Sequence, residues 1–275
     1  MICFPNAKIN LGLNVVGVRP DGYHNIETVF CPIPLRDALE AIPLRQGTDH
    51  FSSSGIVVDG PLENNLVMKA LKLLRSRYSF PSLDIYLHKS IPFGAGLGGG
   101  SADAAFFLKL VNDLCRLQID DDTLRQLAGE LGADCPFFIN NKPVFAKGIG
   151  NEFEDIPFVL EEMFFYLVKP DIAVSTREAY AGIQLKEPEV SLKEIIRKPV
   201  GQWCTAMRND FEESVFLKHP AIGQIKQSLY DLGATYASIS GSGSSVFGLF
   251  KNKPQIPDTL FHGCYTFIHK LSISQ

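Results

Sequence analysis

The sequence predicts an α+β fold in two domains. Strand-like and helix-like patterns mix in both halves of the chain, with a change of unit near 150–160. The length, 275 residues, suits one large or two medium domains. A hydrophobic content of 45% against 20% charged is that of a globular chain with a sizeable core. An N-terminal domain is therefore placed at 1–152 and a C-terminal domain at 153–275.

The first element is a strand. Over 7–14, Ala7, Ile9, Leu11 and Leu13 point one way and Lys8, Asn10, Gly12 and Asn14 the other, giving a buried face and a polar face. Arg19-Pro20-Asp21-Gly22 reads as a turn and Tyr23–Phe30 as the return strand. Tyr23 and His24 thus follow a tight turn, near the polar face that carries Lys8 and Asn10. Segment 35–60 reads as short strands and loops. Leu66, Ala70, Leu73 and Leu74 recur at helical spacing and predict a helix over 64–76. Leu83, Ile85 and Leu87 alternate with Asp84, Tyr86 and His88, a half-buried strand.

A helix follows over 101–117, small at its start and bulky later (Phe106, Phe107, Leu110, Val111, Leu114). Small early residues suit a first turn that must approach a ligand. Asp122 is the expected cap of the next helix, with Leu124, Leu127, Ala128 and Leu131 on one face and Gly132 as its stop. Ala133-Asp134-Cys135-Pro136-Phe137-Phe138 reads as a helix-to-strand junction. In the second half Phe164–Val168 is a buried strand, and helices are expected near 176–183, 191–196, 202–217 and 221–232. Tyr236–Ile239 and Val246–Phe250 are strands flanking Ser240-Gly241-Ser242-Gly243-Ser244-Ser245, with a last strand over 261–269.

Between the strand ending near 89 and the helix after it runs Ile91-Pro92-Phe93-Gly94-Ala95-Gly96-Leu97-Gly98-Gly99-Gly100-Ser101-Ala102, in which five of the seven residues 94–100 are glycine. Each glycine costs backbone entropy on folding, so a packed core has no use for so many. Such a loop lets backbone N–H groups converge on a close ligand, and the helix behind adds a positive dipole end. Together they make an anion site, best suited to phosphates. A Walker A loop needs a lysine before its Ser or Thr, and Gly100 stands there instead. Gly94-x-Gly96-x-x-Gly99 satisfies the dinucleotide pattern, but the preceding strand alternates and Ile91-Pro92-Phe93 intervenes. A bare structural turn needs one or two glycines.

The net charge of −4, with Lys and Arg spread along the chain, argues against nucleic acid. Anionic small molecules remain open, since local fields matter more than the total. None of the six cysteines forms a C-x-x-C pair, so there is no metal motif, and buried or inert thiols in a reducing cytoplasm are expected. The N-terminus lacks the pattern of a signal peptide, and no apolar run is long enough for a membrane helix.

Pro92-x-x-x-Gly96-Leu97-Gly98-Gly99-Gly100-Ser101-Ala102 resembles the second motif of the GHMP kinases, the family of galactokinase, homoserine kinase, mevalonate kinase and phosphomevalonate kinase. Pro5-Asn6-Ala7-Lys8-Ile9-Asn10-Leu11 with Arg19-Pro20-Asp21-Gly22-Tyr23-His24 resembles the opening of its isoprenoid-pathway member. Gly132-Ala133-Asp134-Cys135-Pro136-Phe137-Phe138 and Ser240-Gly241-Ser242-Gly243-Ser244 resemble later signatures of the same member, in the same order. The matches spread from residue 5 to about 250.

The resemblance implies an N-terminal domain like ribosomal protein S5 domain 2 and a ferredoxin-like C-terminal domain. It implies that ATP, with Mg²⁺ as its counter-ion, phosphorylates the 2-hydroxyl of 4-diphosphocytidyl-2-C-methyl-D-erythritol in the non-mevalonate route to isoprenoid precursors. The protein motifs name no metal ligand, and Ser101 at the helix start would contact phosphate or Mg²⁺ or only cap the helix. The resemblance makes Asp134 the catalytic carboxylate and Lys8 the cation beside it. On sequence alone Asp134 is equally a turn carboxylate bordering apolar surface, and Lys8 an ordinary solvated strand lysine. An ammonium beside a carboxylate weakens it as a base, which a loose transition state tolerates because the proton leaves late.

By the same resemblance Tyr23 stacks on the cytosine, His24 bonds its edge, Asn10 binds substrate polar groups and Tyr180 closes the other side of the base. Without it, Tyr23 and His24 read as surface residues and Tyr180 as a helix core residue. Asn65 and Leu66 match a segment near adenine. Pro92, Gly94, Ala95, Gly96, Leu97, Gly98, Gly99, Gly100, Ser101 and Ala102 match the ATP loop. Gly241, Ser242 and Gly243 help close the substrate cleft in the family, though Gly-Ser-Gly also suits a plain hairpin turn. A monomer or weak homodimer is expected. The rival readings are a kinase of another alcohol, a silent small-molecule sensor on the same fold, and a nicotinamide-dependent dehydrogenase.

Overall fold

A computed structural model describes residues 1–57, 60–186 and 188–274. In chain order the first strands are β1 (Ile2–Cys3), β2 (Asn6–Val18), β3 (His24–Arg36), β4 (Ala38–Pro43) and β5 (His50–Gly55). Then come α1 (Leu66–Arg75), β6 (Leu83–Lys89), α2 (Gly99–Cys115), α3 (Asp121–Leu131) and α4 (Phe137–Asn140). β7 (Val144–Lys147), β8 (Glu152–Asp155) and β9 (Val159–Lys169) precede α5 (Thr176–Tyr180), α6 (Leu192–Ile195), α7 (Trp203–Ala206), α8 (Phe211–Lys218) and α9 (Pro220–Asp231). β10 (Tyr236–Ile239), β11 (Val246–Phe250) and β12 (Tyr265–Ser274) end the chain.

The packing forms two compact units: Met1–Lys8, Pro34–Phe93 and Gly98–Lys142 make the first; Ile9–Ile33, Gly94–Leu97 and Pro143–Gln275 make the second. These units interleave along the chain, whereas the sequence suggests two consecutive segments divided at 152. The reason is that β2 and β3 each contribute residues to both.

In the first unit the sheet order is β1-β4-β6-β5, with β5 parallel to β6 and the other pairs antiparallel. β6 shows the alternation its sequence predicts: Leu83, Ile85 and Leu87 are buried. α2 packs on α1, α3 and α4, and its Ala102, Ala104, Ala105, Phe107, Leu108 and Val111 are each fully buried. Asn65 caps α1 by accepting the Val67 N–H at 2.9 Å. Asp120, not Asp122, caps α3, accepting the Thr123 N–H at 2.8 Å; the turn before it lets the earlier carboxylate reach the free amide. Gly132 ends α3 with extended backbone (φ 170°), so its stop is not the left-handed kind.

The second unit contains the sheet β2-β3-β7-β8 and the antiparallel sheet β10-β11-β9-β12. Leu13, Val15, Ile26, Val168, Phe211, Val215, Ile222, Leu229 and Ile239 belong to one buried cluster. The helix expected over 202–217 is two helices, α7 and α8. Met207–Asp210 break it, because Arg208 O accepts the Leu13 N–H at 2.9 Å and Leu13 O accepts the Asp210 N–H at 2.8 Å. Pairing with β2 replaces the helical hydrogen bonds there.

Three further expectations need revision. The polar face of β2 is buried too: Lys8, Asn10 and Asn14 are 4%, 2% and 7% exposed. The junction at 133–138 leads into α4, not a strand, since Pro136 starts a helical turn and Asn141 closes it in the left-handed region (φ 52°). Of the six thiols Cys31 and Cys135 are buried, but Cys204 is exposed. The last two positions of the loop-and-strand stretch before residue 60, 58 and 59, lie outside the described residues.

Candidate active site

Lys8 and Asp134 meet within the first unit. Lys8 lies on β2, and Asp134 lies on the turn between α3 and α4 that the Gly132 O to Cys135 N–H bond closes at 3.1 Å. Their Nζ and Oδ2 are 3.4 Å apart, with the lysine side chain 4% exposed and the aspartate 35%. A buried ammonium and a half-open carboxylate thus present one polar edge to a ligand.

The helix that follows the glycine loop begins beside this pair. Gly98 is the N-cap of α2 in the left-handed region (φ 69°) and offers no side chain to the first amides. A Cβ there would lie 3.0 Å from Phe138 Cζ and 3.3 Å from Lys8 Cε. Glycine avoids both the left-handed strain and these tight contacts, and the start of α2 at Gly98 lies next to Lys8. α2 starts at Gly99, two residues earlier than its apolar pattern suggests. Ser101 is therefore inside the helix rather than its cap, and its hydroxyl lies near the Cys135 thiol, the residue after Asp134. Burial pushes that thiol up to about 11, so it is no nucleophile at neutral pH. Ala102 is fully buried beneath the same turn, and Pro92 is buried before the loop. Leu66 Cδ1 lies 3.6 Å from where a Gly100 Cβ would be, which brings Asn65 and Leu66 to the same helix start.

Within the second unit the other candidates form their own cluster. Gly94 and Gly96 take left-handed backbone (φ 61° and 72°), while Ala95 and Leu97 are buried. Ser240 Oγ donates to Gly96 O at 2.8 Å and accepts the Asn10 N–H at 3.3 Å. Asn10 Nδ2 donates to Thr28 Oγ1 at 3.0 Å, and its Oδ1 lies 3.5 Å from where a Gly241 Cβ would be. Gly241, Ser242 and Gly243 are the hairpin between β10 and β11, closed by the Gly243 N–H to Ser240 O bond at 2.9 Å. The hairpin reading therefore holds, and the turn also touches the glycine loop at Gly96. Asn209, which the sequence does not single out, anchors it by donating to Ile239 O and Gly241 O at 3.2 and 2.9 Å.

Tyr23 and His24 follow the turn at 19–22, which Asp21 fixes by accepting the Tyr23 N–H at 3.1 Å. The Tyr23 side chain is largely exposed, at 62%. His24 stacks on Tyr180 with ring centres 4.4 Å apart, and Tyr180 in turn stands edge-on to Phe211 at 4.8 Å. Tyr180 is thus neither a plain core residue nor a bare platform, because the imidazole already covers one face.

Family models match in two places: the GHMP kinase N-terminal domain at residues 65–142 and the GHMP kinase C-terminal region at 191–259. A protein of Parabacteroides distasonis named 4-diphosphocytidyl-2-C-methyl-D-erythritol kinase is 59% identical over 273 residues, covering 99% of this chain and all of its own. This chain belongs to that GHMP kinase family. A Bacteroides fragilis protein of the same name is 55% identical over 269 residues, 97% of this chain and 98% of its own. The crystal structure of a 4-(cytidine 5'-diphospho)-2C-methyl-D-erythritol kinase matches with a TM-score of 0.78 at 32% identity over 90% of each chain. As a member of this kinase family the chain is a phosphotransferase with the α+β GHMP fold. Among the described residues no helix is long and apolar enough to cross a membrane.

Sequence reasoning overlooks a second charged cluster in the first unit, Asp37, Lys89 and Asp103. One signal for it is present: Lys89 continues the buried series Leu83, Ile85, Leu87 on β6 and is itself 4% exposed. A lysine on an apolar stripe needs partners.

Proposed function

We propose that the protein transfers the γ-phosphoryl group of ATP to the 2-hydroxyl of 4-diphosphocytidyl-2-C-methyl-D-erythritol. The observation that carries this reading is the 3.4 Å pair of Lys8 and Asp134 beside the glycine-opened N-terminus of α2. Amides of Gly98–Ser101 would take the phosphates, and Asn65 with Leu66 the adenine side. Lys8 would balance the charge on the transferred group, and the Asp134 carboxylate would accept a hydrogen bond from the acceptor hydroxyl.

In the transfer the acceptor oxygen forms a bond to the γ-phosphorus as the bond to the β–γ bridging oxygen breaks. ADP departs, and the hydroxyl proton passes to Asp134. If the transition state is loose, that proton moves late, so Asp134 serves by orienting the hydroxyl at least as much as by basicity. Mg²⁺ would travel with the nucleotide, neutralising phosphate charge. At this helix start the hydroxyl of Ser101 is a hard oxygen donor that suits such an ion. Among the described residues no group of three or more His, Cys, Asp and Glu could hold a metal alone.

Tyr23, His24 and Tyr180 would select the cytosine by stacking and edge hydrogen bonds, with Asn10 on substrate polar groups and Gly241–Gly243 lining the substrate. The domains of the family are proposed at 1–152 and 153–275. The test is to mix the protein with MgATP and the cytidylyl substrate and look for ADP and a monophosphorylated product. Methylerythritol without the cytidylyl group is the control and should be left unchanged. ADP formation with no phosphorylated alcohol, or equal turnover of the control, defeats the proposal.

A further inference from the structure

The cluster of Asp37, Lys89 and Asp103 takes no part in the transfer described above. Lys89 closes β6, Asp37 links β3 to β4, and Asp103 stands one turn into α2. None is more than 4% exposed. Lys89 Nζ donates to Asp37 Oδ2 and, at 2.7 Å, to Asp103 Oδ2. The other oxygen of Asp37 accepts the backbone N–H groups of Ser90 and Ile91 at 2.6 and 2.9 Å. These are the first two residues after the strand, where the chain heads into the glycine-rich segment. At the far end of that segment a Cβ on Gly99 would lie 2.8 Å from Ile91 Cγ2 and 3.5 Å from Lys89 Nζ.

A buried ion cluster is a poor source of stability, because desolvation offsets much of the attraction. This one even leaves Asp103 Oδ1 buried without a hydrogen-bond partner. An apolar trio could fill the same space without that orphan. What apolar side chains could not supply is direction. One ammonium ties the strand leading into the loop to the helix leading out of it, and one carboxylate orients two backbone amides of the connecting chain.

Resting on the kinase reading, we infer that Lys89, with Asp37 and Asp103, is a positioning clamp. It holds Ser90–Ile91 against Gly99–Asp103 in the register at which the first amides of α2 meet the nucleotide phosphates.

Two variants test the clamp. Asp103→Asn keeps shape and one acceptor for Lys89 but cannot ionise. The triple variant Asp37→Asn, Lys89→Met, Asp103→Leu discharges the cluster while keeping an acceptor for Ser90 and Ile91. The folded triple variant should show a KM for ATP raised about tenfold or more, because small misplacements of binding groups are costly. Its KM for the cytidylyl alcohol should stay within about twofold of wild type, a split that general loosening of the fold would not give. In nucleotide-free protein, amide hydrogen exchange should quicken at Gly98–Asp103 and stay unchanged in β9–β11. Asp103→Asn should move the same quantities less, and it carries the test alone if the triple variant does not fold. An unchanged KM for ATP with unchanged exchange, or the two KM values rising together, overturns the clamp. If the wild type phosphorylates no alcohol, the kinase reading fails instead, while the exchange measurement still decides for or against the clamp.

Discussion

The charged edge at Lys8 and Asp134 and the aromatic patch at Tyr23, His24 and Tyr180 are built on opposite principles. Lys8 is buried to 4% on a strand and meets its partner at 3.4 Å, next to a helix start whose left-handed backbone favours glycine. Tyr23 is 62% exposed on a turn, and His24 and Tyr180 lean on each other over Phe211. Charge developing in a transition state is best met by groups fixed beforehand in a low dielectric, where they need not reorganise. A base, by contrast, brings its own apolar face and buries the aromatic ring on arrival. Substitution of the catalytic carboxylate in the first region should therefore act on kcat, and substitutions in the second region on the KM of one substrate.

The sharpest way to break that contrast is Asp134→Ala. We expect kcat to fall by about a thousandfold, within the range for losing a positioned acid–base group, with little change in either KM. A near-wild-type kcat would remove Asp134 from the reaction. Asp134→Asn refines the role: a rate held within about tenfold of wild type, roughly 1.4 kcal/mol of barrier, means orientation rather than proton removal.

Gly98→Ala should come next. The residue must hold φ near 69°, and its new methyl would press on Phe138 and on Lys8 Cε. The left-handed conformation costs an alanine about 1–2 kcal/mol, and the displaced helix start should weaken ATP binding roughly tenfold or more. Thermal melting and ATP titration check the two parts separately. A variant with wild-type affinity for ATP would show that the amides of α2 do not carry the phosphates.

The two regions also differ in how far the sequence reveals them. Lys8 and Asp134 lie 126 positions apart, and no periodicity joins them; the motif resemblance pairs them, and the turn at 132–135 makes the meeting possible. Alternation on β2 separates its two faces correctly but cannot say that the polar face is also buried, because burial depends on what packs over it. The break between α7 and α8 is hidden for a similar reason: local propensity favours one helix, and backbone pairing with Leu13 overrides it. Asp103 sits in a small-residue helix start where one acidic residue looks like a solvated side chain. Only its distance to Lys89 shows otherwise. Tyr23 and His24, in contrast, follow a turn whose residues announce it, and their placement needs no long-range contact.

Tyr23→Ala tests the aromatic side of the contrast. Loss of one stacking face should raise the KM for the cytidylyl alcohol by roughly three- to tenfold, the size of an aromatic pair, and leave the KM for ATP unchanged. Tyr180→Ala should do less to the alcohol KM if His24 keeps its ring covered, and should cost some stability through Phe211. Equal shifts in both KM values for Tyr23→Ala would mean that the turn, not the ring, matters.

A last contrast concerns pH, and it separates the regions by the buried charge each contains. Burial pushes the Asp103 carboxyl up to about 7, with the Lys89 ammonium opposing and the Asp37 carboxylate assisting. The thiol of Cys3, which burial and the Asp103 charge push up to about 12, stays protonated throughout this range. An unfolded aspartate releases its proton near pH 4. Between about pH 4 and 7 the folded protein therefore holds a proton that the unfolded chain has lost, and stability must fall as pH rises through that window. Asp103→Asn removes this term, so the stability difference between wild type and variant, read from urea unfolding, should decline from pH 4.5 to 7.5. Tyr23→Ala should follow wild type across the same range. A difference that rises with pH would mean that Lys89 outweighs burial and that the cluster is fully ionised in the fold.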